Sequence, residues 1–411
     1  NTTASYNTAV GNDSLGANEG GASNSAFGSG ALGSNVSGSS NTALGYNALS
    51  VNTTSNNTAV GYGALDANTS GTSNTAVGKN ALSTNIDSTS STAVGREALA
   101  SSEGAYNTAV GAFCLDANTT GANITGVGYN CLTSHTTGTS NTAFGDGAGS
   151  STTTGTNNTA VGQACMSANT TGGANTVMGM NALNYHTTAS GNTAIGYNSI
   201  KGSAGATGAD NTALGSSSGY AIQSTATQNV CIGTQSGDGI TTGSNNVTLG
   251  YDSGSDAMES ITTDSNNVII GNNSSDNAEV KVDWTVGSDV RDKTDIETLP
   301  DNAGLNFVNQ MRPVTYVWDN RTNYYPHTDE KYGERDHSKK STVKQVGFIA
   351  QEIKEIEKSI GWEDDHLVNT RNEQSYKLMY SQVTPILVKA IQELSAEVEE
   401  LKKKAHDKCE E

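Results

Sequence analysis

Residues 1–287 contain no proline and only four basic side chains, Lys79, Arg96, Lys201 and Lys281. The 411-residue chain is also poor in charged residues (15%), in aromatics (6%) and in hydrophobic residues as a whole (34%). A conventional globular core needs more apolar material than this. The composition therefore leaves a disordered chain or one built from thin repeating layers. No apolar run approaches the length of a membrane-spanning helix, so no membrane insertion is expected. The formal net charge of −19 argues against nucleic acid as a partner, because phosphate binding needs clustered Lys and Arg. The five cysteines, Cys114, Cys131, Cys165, Cys231 and Cys409, form no CxxC pair and no zinc spacing. No metal and no other cofactor is expected. No recurring pair of carboxylates points to glycosidase chemistry. The first residue is Asn1 rather than Met, which reads as a fragment of a longer chain.

What the first part lacks, the last part holds. Residues 288–411 carry the other eighteen Lys and Arg and all four prolines, Pro300, Pro313, Pro326 and Pro385. That shift alone puts a boundary near residue 287.

The first part is a repeat, the feature to look for before any other. Asn-Thr-Ala-Val-Gly occurs at 7–11, 57–61, 74–78, 107–111 and 158–162, and variants fill the gaps. The closing glycine recurs every 16 or 17 residues from Gly11 to Gly196, then more loosely through Gly215, Gly233, Gly250 and Gly271. The residue before that glycine is always apolar, as at Val10, Phe27, Leu44 and Met178, which predicts that it faces a core in every coil. The small residue before it, usually Ala, alternates with it and is expected on the opposite side of a strand, against another layer or subunit. The glycine suits a tight bend or a positive φ. A second segment, Ala-Leu, follows three and four residues later, as at Ala48-Leu49 and Ala98-Leu99. Cys114, Cys131 and Cys165 fill its Ala slot and Cys231 the small slot of its own motif, so these four read as small buried residues. The Ser, Thr, Asn and Gly between read as surface turns.

Two short strands and two turns in 17 residues describe one coil of a parallel β-solenoid. About sixteen coils at ~4.8 Å per step make a rod of roughly 75 Å. A single ribbon of this kind has a thin core, and three chains around one axis would thicken it. The pattern over residues 1–271 resembles the head repeats of trimeric autotransporter adhesins, which form parallel β-rolls, and repeats in phage tail fibres. The resemblance implies a mainly β, homotrimeric shaft. Residues 272–287 read as a linker.

Residues 288–411 have an ordinary composition and read as a small α+β domain. Val346–Ile353 leads into a helix, Tyr376–Met379 reads as a strand, and a polar segment at 319–343 as a loop. Leu387, Ile391, Leu394, Val398, Leu401 and Ala405 alternate four and three residues apart, the heptad seam of a coiled coil over 383–405. A heptad of this kind fits a dimer or a trimer. Pro385 lies near the helix start, where proline is tolerated. Trp318 and Trp362 are expected in the domain core. His327, His337, His366 and His406 read as surface histidines, and so do His135 and His186 in the repeat turns.

A serine hydroxyl needs a base to attack an amide, and a lysine amine serves where burial favours its neutral form. Ser288 and Lys293 lie five residues apart, a distance that a turn can close. Such Ser-Lys pairs are a variant of nucleophilic catalysis. Ser288-Asp289-x-x-x-Lys293, Arg312-Pro313-Val314-x-Tyr316, Gly347-Phe348-Ile349-Ala350-Gln351-Glu352 and the terminal helix occur in one order. Together, over 288–411, they resemble the C-terminal intramolecular chaperone of phage endosialidases and tail fibres. The resemblance implies trimerisation, guidance of shaft folding, and then self-cleavage. Ser288 would attack the carbonyl of Gly287 with Lys293 as base, and Asp289 matches the motif as a supporting residue.

The two halves suit each other. A stack of near-identical coils can pair out of register, and long-range strand assembly is slow and aggregation-prone. A trimerising module at one end fixes alignment. The expected protein is thus the tail fibre of a phage-like particle, located on the virion, with a host-surface glycan or outer-surface protein as receptor. The alternative is a bacterial trimeric adhesin with a retained cap and no proteolysis. A membrane barrel would be expected at the end of such an adhesin, where this sequence has the charged run Lys408-Cys409-Glu410-Glu411.

Overall fold

The computed structural model describes residues 4–223, 225–255, 261–272, 275, 288–319, 324, 331, 334–364, 366–370 and 376–410. The chain divides into two compact units, Asn1–Ser274 and Ser275–Glu411. The linker 272–287 lies almost wholly outside the described residues.

The first unit is a parallel β-solenoid. Sixteen strands of three residues, from β1 (Thr8–Val10) to β16 (Val268–Ile270), form one sheet in sequence order. Each strand pairs in parallel with the next in motif register, for example Thr58↔Thr75, Ala59↔Ala76 and Val60↔Val77. Each coil thus contributes one strand, not two. The Ala-Leu segment is a turn, in which the leucine takes left-handed backbone, as at Leu49 (φ 54°), Leu82 (φ 50°) and Leu99 (φ 50°). This conformation costs about 1–2 kcal/mol per residue. Complete burial of the same leucines contributes about 1.5–3 kcal/mol each, so burial offsets the strain coil by coil.

The two faces of the strand are the reverse of the expectation. The small middle residue is buried inside the solenoid in every strand from Ala26 to Thr248, whereas the apolar residue before the glycine is never buried. A compact side chain, from Ala to Val177, suits this position, because the leucine of the turn also fills the inward space of so narrow a coil. Alternation then sends the large residue out.

The closing glycines meet two demands at once. Gly78 has φ +139°, and a Cβ on it would lie 2.3 Å from the carbonyl oxygen of Gly95 in the next coil. The Asn that opens the motif forms a ladder along the stack. Asn24 Oδ1 accepts from the Asn41 N–H at 2.9 Å, and Asn24 Nδ2 donates to the Gly38 carbonyl at 2.8 Å. Each such Asn staples its coil to the following one and satisfies backbone groups that the short strands leave over.

A second Asn ladder runs beside it, with links such as Asn35 Nδ2 to Asn18 Oδ1 at 2.8 Å. His135 stands in that ladder and is fully buried, its ring nitrogens 3.1 Å from Asn118 Oδ1 and 3.1 Å from Asn141 Nδ2. His186 is also fully buried. Neither is a surface residue, because both replace an inward-facing side chain of the coil. Cys114, Cys131, Cys165 and Cys231 are buried and unpaired; the side chain of Cys409 lies outside the described residues.

In the second unit, α1 (Leu305–Gln310), α2 (Ala350–Ser359) and α3 (Tyr380–Glu410) accompany two small antiparallel pairs. These pairs are β17 (Val314–Val317) with β18 (Lys344–Gly347), and β19 (Val368–Asn369) with β20 (Lys377–Leu378). The core gathers Phe307, Met311, Ile353, Ile356, Leu367, Val368, Val383 and Ile386. Trp362 packs against it, its ring 6.0 Å from that of Phe307. Trp318 does not join it. It is 49% exposed and meets Tyr316 edge-on, because among the described residues β17 and β18 pair only with each other.

Candidate active site

One short turn builds the site. Val290–Asp292 form a 3-10 helix that Asp289 caps, its carboxylate accepting from the Arg291 N–H at 2.9 Å. The Lys293 N–H closes the turn on the Val290 carbonyl at 3.2 Å. A turn of this length brings its flanking residues back together. Lys293 Nζ donates to Ser288 Oγ at 2.7 Å. Both residues are exposed in the single chain. Asp289 touches neither of them. It pairs with Arg291, whose guanidinium holds the Asp289 carboxyl below the usual carboxylate range. Its part is to shape the turn. Gly287 lies outside the described residues.

A serine within hydrogen-bond reach of a lysine can act as a nucleophile if the amine becomes neutral and takes the hydroxyl proton. The hydrogen bond places the two groups within that reach in the single chain.

Two further motifs of the unit meet each other. Arg312 Nε donates to Glu352 Oε2 at 3.1 Å, which ties the Arg-Pro segment before β17 to the first turn of α2. Gly347 closes β18 beneath Tyr380, and a Cβ there would lie 2.3 Å from the Tyr380 hydroxyl. That hydroxyl accepts from the Phe348 N–H at 3.2 Å. Glu393 of α3 accepts from the Leu305 N–H at 2.6 Å and so caps α1. That N–H, together with Lys389, holds the Glu393 carboxyl below its usual range. These bonds were not visible in the sequence, since none follows from a local spacing.

The heptad seam lies free in the single chain. Along α3, Val383, Ile386 and Ala390 are buried, whereas Leu387, Ile391, Leu394, Val398, Leu401 and Ala405 are all exposed, Ile391 by 66%.

The remaining candidates are scattered. His337 pairs with Asp319, and His366 stacks on Trp362 at 4.7 Å. His337, His366 and His406 are exposed, whereas His327 lies outside the described residues. Among the described residues there is no cluster of His, Cys, Asp or Glu that could hold a metal ion. No described helix is long and apolar enough to cross a membrane.

Residues 288–361 match the family model of the chaperone of endosialidase. The matched segment begins at Ser288 itself and takes in Lys293, the Arg312–Glu352 pair and all of α2. Comparison with curated proteins and with solved structures found no match. A repeat solenoid followed by this segment is the organisation of a tail-fibre-like protein that carries its own chaperone.

Proposed function

We propose that the chain is the shaft of a homotrimeric tail fibre on a phage-like particle, and that its C-terminal unit aligns three copies and then cuts itself off between Gly287 and Ser288. The Lys293–Ser288 hydrogen bond at 2.7 Å, at the first residue of the chaperone-type segment, carries this reading.

Two apolar surfaces support self-association. The α3 seam is one. The other is the row of outward residues on the shaft strands, among them Val10, Leu44, Phe144 and Ile270, each at least half exposed. Apolar patches of such length on a soluble monomer mark an interface. The occupant that matches sixteen evenly spaced rungs is another copy with the same spacing.

The chemistry runs in two steps. Neutral Lys293 takes the Ser288 hydroxyl proton as Oγ attacks the Gly287 carbonyl carbon. The C–N bond breaks, the Ser288 nitrogen takes the proton and becomes a free amine, and an ester joins Gly287 to Oγ. Water then hydrolyses the ester, which leaves a Gly287 carboxylate and a fragment that begins at Ser288. Loss of the aligning unit makes the shaft hard to unfold, because the step that set its register has no path back. Host-surface attachment is the role that suits a long rigid rod presented outside a particle.

Intact-mass spectrometry of the full chain, beside Ser288→Ala and Lys293→Arg, tests this. Cleavage before Ser288 in the wild type alone is expected, since an arginine does not become neutral. A wild type that folds as an uncut trimer would overturn self-cleavage and make the C-terminal unit a retained cap.

A further inference from the structure

The residue that follows each closing glycine forms a column along the shaft. Over eight coils it reads Ser29, Tyr46, Tyr62, Lys79, Arg96, Ala112, Tyr129 and Asp146. Backbone bonds hold it in register: the Gly63 N–H donates to the Tyr46 carbonyl at 3.0 Å, Asn80 to Tyr62 at 2.9 Å, and Glu97 to Lys79 at 2.9 Å. Six rungs from Tyr46 to Tyr129 carry an unbroken run of rings and cations. The Tyr46 and Tyr62 rings stack at 5.3 Å and 17°. Lys79 follows, then Arg96, whose guanidinium lies 4.2 Å from the centre of the Phe113 ring. Phe113, one position over from Ala112, meets Tyr129 edge-on at 6.2 Å. Tyr46, Tyr62, Lys79, Arg96 and Tyr129 are all exposed.

The charge placement is uneven. Residues 1–287 hold seventeen Asp and Glu against four Lys and Arg, and two of those four stand on adjacent rungs here. Neither pairs with a described carboxylate, although Glu97 is the next residue to Arg96. The cations are thus free to meet an anionic group from outside, flanked on both sides by aromatic faces.

We propose that this column binds an acidic oligosaccharide lying along the fibre axis, with its carboxylate on Lys79 and Arg96 and its sugar rings against Tyr46, Tyr62, Phe113 and Tyr129. The proposal rests on the reading of the shaft as an attachment fibre. Five steps of ~4.8 Å make a straight track of about 24 Å, which suits a linear polymer. An extended peptide would need backbone partners, and the column's carbonyls, such as those of Tyr46, Tyr62 and Lys79, already accept from the next coil. A nucleic acid carries a charge on every nucleotide and needs more than two cations on a chain this acidic. Exposed tyrosine rings and a guanidinium remain as the recognition chemistry, and both favour flat apolar faces next to an anion. Three parallel copies would add avidity.

The test uses the full chain on immobilised alginate, hyaluronan and polygalacturonate, with dextran as the neutral polymer and oligodeoxythymidine as the nucleic acid. Retention on at least one acidic polysaccharide is expected, with about tenfold weaker binding for Tyr62→Ala and for Arg96→Ala. Tyr197→Ser, in the same column outside the run, should bind as the wild type does. Retention on none of the three, equal retention on dextran or oligodeoxythymidine, or binding unchanged in both column variants overturns the proposal. Assembly and cleavage are followed in every sample. A chain that assembles and is cut yet binds nothing sinks the column alone, whereas one that neither assembles nor is cut sinks the fibre reading beneath it.

Discussion

Ala143 and Phe144 are neighbours in one strand, yet Ala143 is buried and Phe144 is 56% exposed. The inward position holds compact side chains, at most a valine at Val177. Ala143→Leu is therefore expected to overpack its coil at a cost of about 1–3 kcal/mol and to lower the melting temperature. Phe144→Asp should leave the coil folded and weaken self-association instead. Thermal melts paired with sedimentation over a range of concentrations separate the two effects. The opposite pattern, an unfolded Phe144→Asp and a harmless Ala143→Leu, would reverse the assignment of faces.

Gly78 offers a sharper test of the stack. Its φ of +139° and the 2.3 Å approach of the Gly95 carbonyl leave no room for a side chain. Gly78→Ala is expected to cost about 1–3 kcal/mol from the backbone alone, and the clash adds to it. Each coil touches only its neighbours, so the damage should be local. Limited proteolysis should cut the variant near residue 78 while the distant coils stay protected. Uniform protection along the variant would show that the coil tolerates a Cβ there.

The repeat period, the parallel solenoid and the C-terminal helix were legible because each rests on a spacing. The direction of the strand faces was not. Alternation says that Ala59 and Val60 point apart, but not which of them points in. That depends on the leucine at left-handed φ, such as Leu65 (φ 51°), which fills the coil and which no propensity rule anticipates. The Asn ladders were missed for a related reason. Asn in a Thr- and Gly-rich repeat suggests a turn, whereas Asn24 and Asn41 use both ends of their side chains between coils. At the candidate site, the spacing of Ser288 and Lys293 alone suits a capped turn and a solvated lysine, and it was the resemblance of the surrounding motifs that pointed to the pair; the turn that joins them is a short-range feature. The Glu393 cap on α1 joins residues 88 apart, beyond the reach of any local pattern.

The buried histidines should make the shaft sensitive to acid. Burial pushes His135 and His186 down to about 4 from an ordinary 6.5. The unfolded chain therefore takes up protons at these sites before the folded one does. Their contribution is fully present above pH 6.5, falls as the pH drops towards 4, and stays lost below that. Each histidine accounts for at most about 3 kcal/mol across that window. Denaturant midpoints at pH 7 and pH 4.5 should differ in the wild type. His135→Asn, which restores the ladder residue, should shrink the difference. A variant with the same difference as the wild type would remove His135 from the account.

Cleavage should wait for assembly. Lys293 and Ser288 are exposed in one chain, and an amine acts as a base only where its surroundings favour the neutral form. Neighbouring copies are the source of cover that the exposed seam of α3 implies. Ile391→Asp combined with Leu394→Asp places charges in that seam, where burial without a partner is costly. This double variant should lose both self-association and cleavage, with its Ser288 and Lys293 untouched. Ser288→Ala should behave in the opposite way, as an assembled and uncut chain. In the wild type, the rate of cut product after refolding should rise with chain concentration. Cleavage of the double variant at the wild-type rate, independent of concentration, would show that one chain suffices and that cover from other copies has no part in the chemistry.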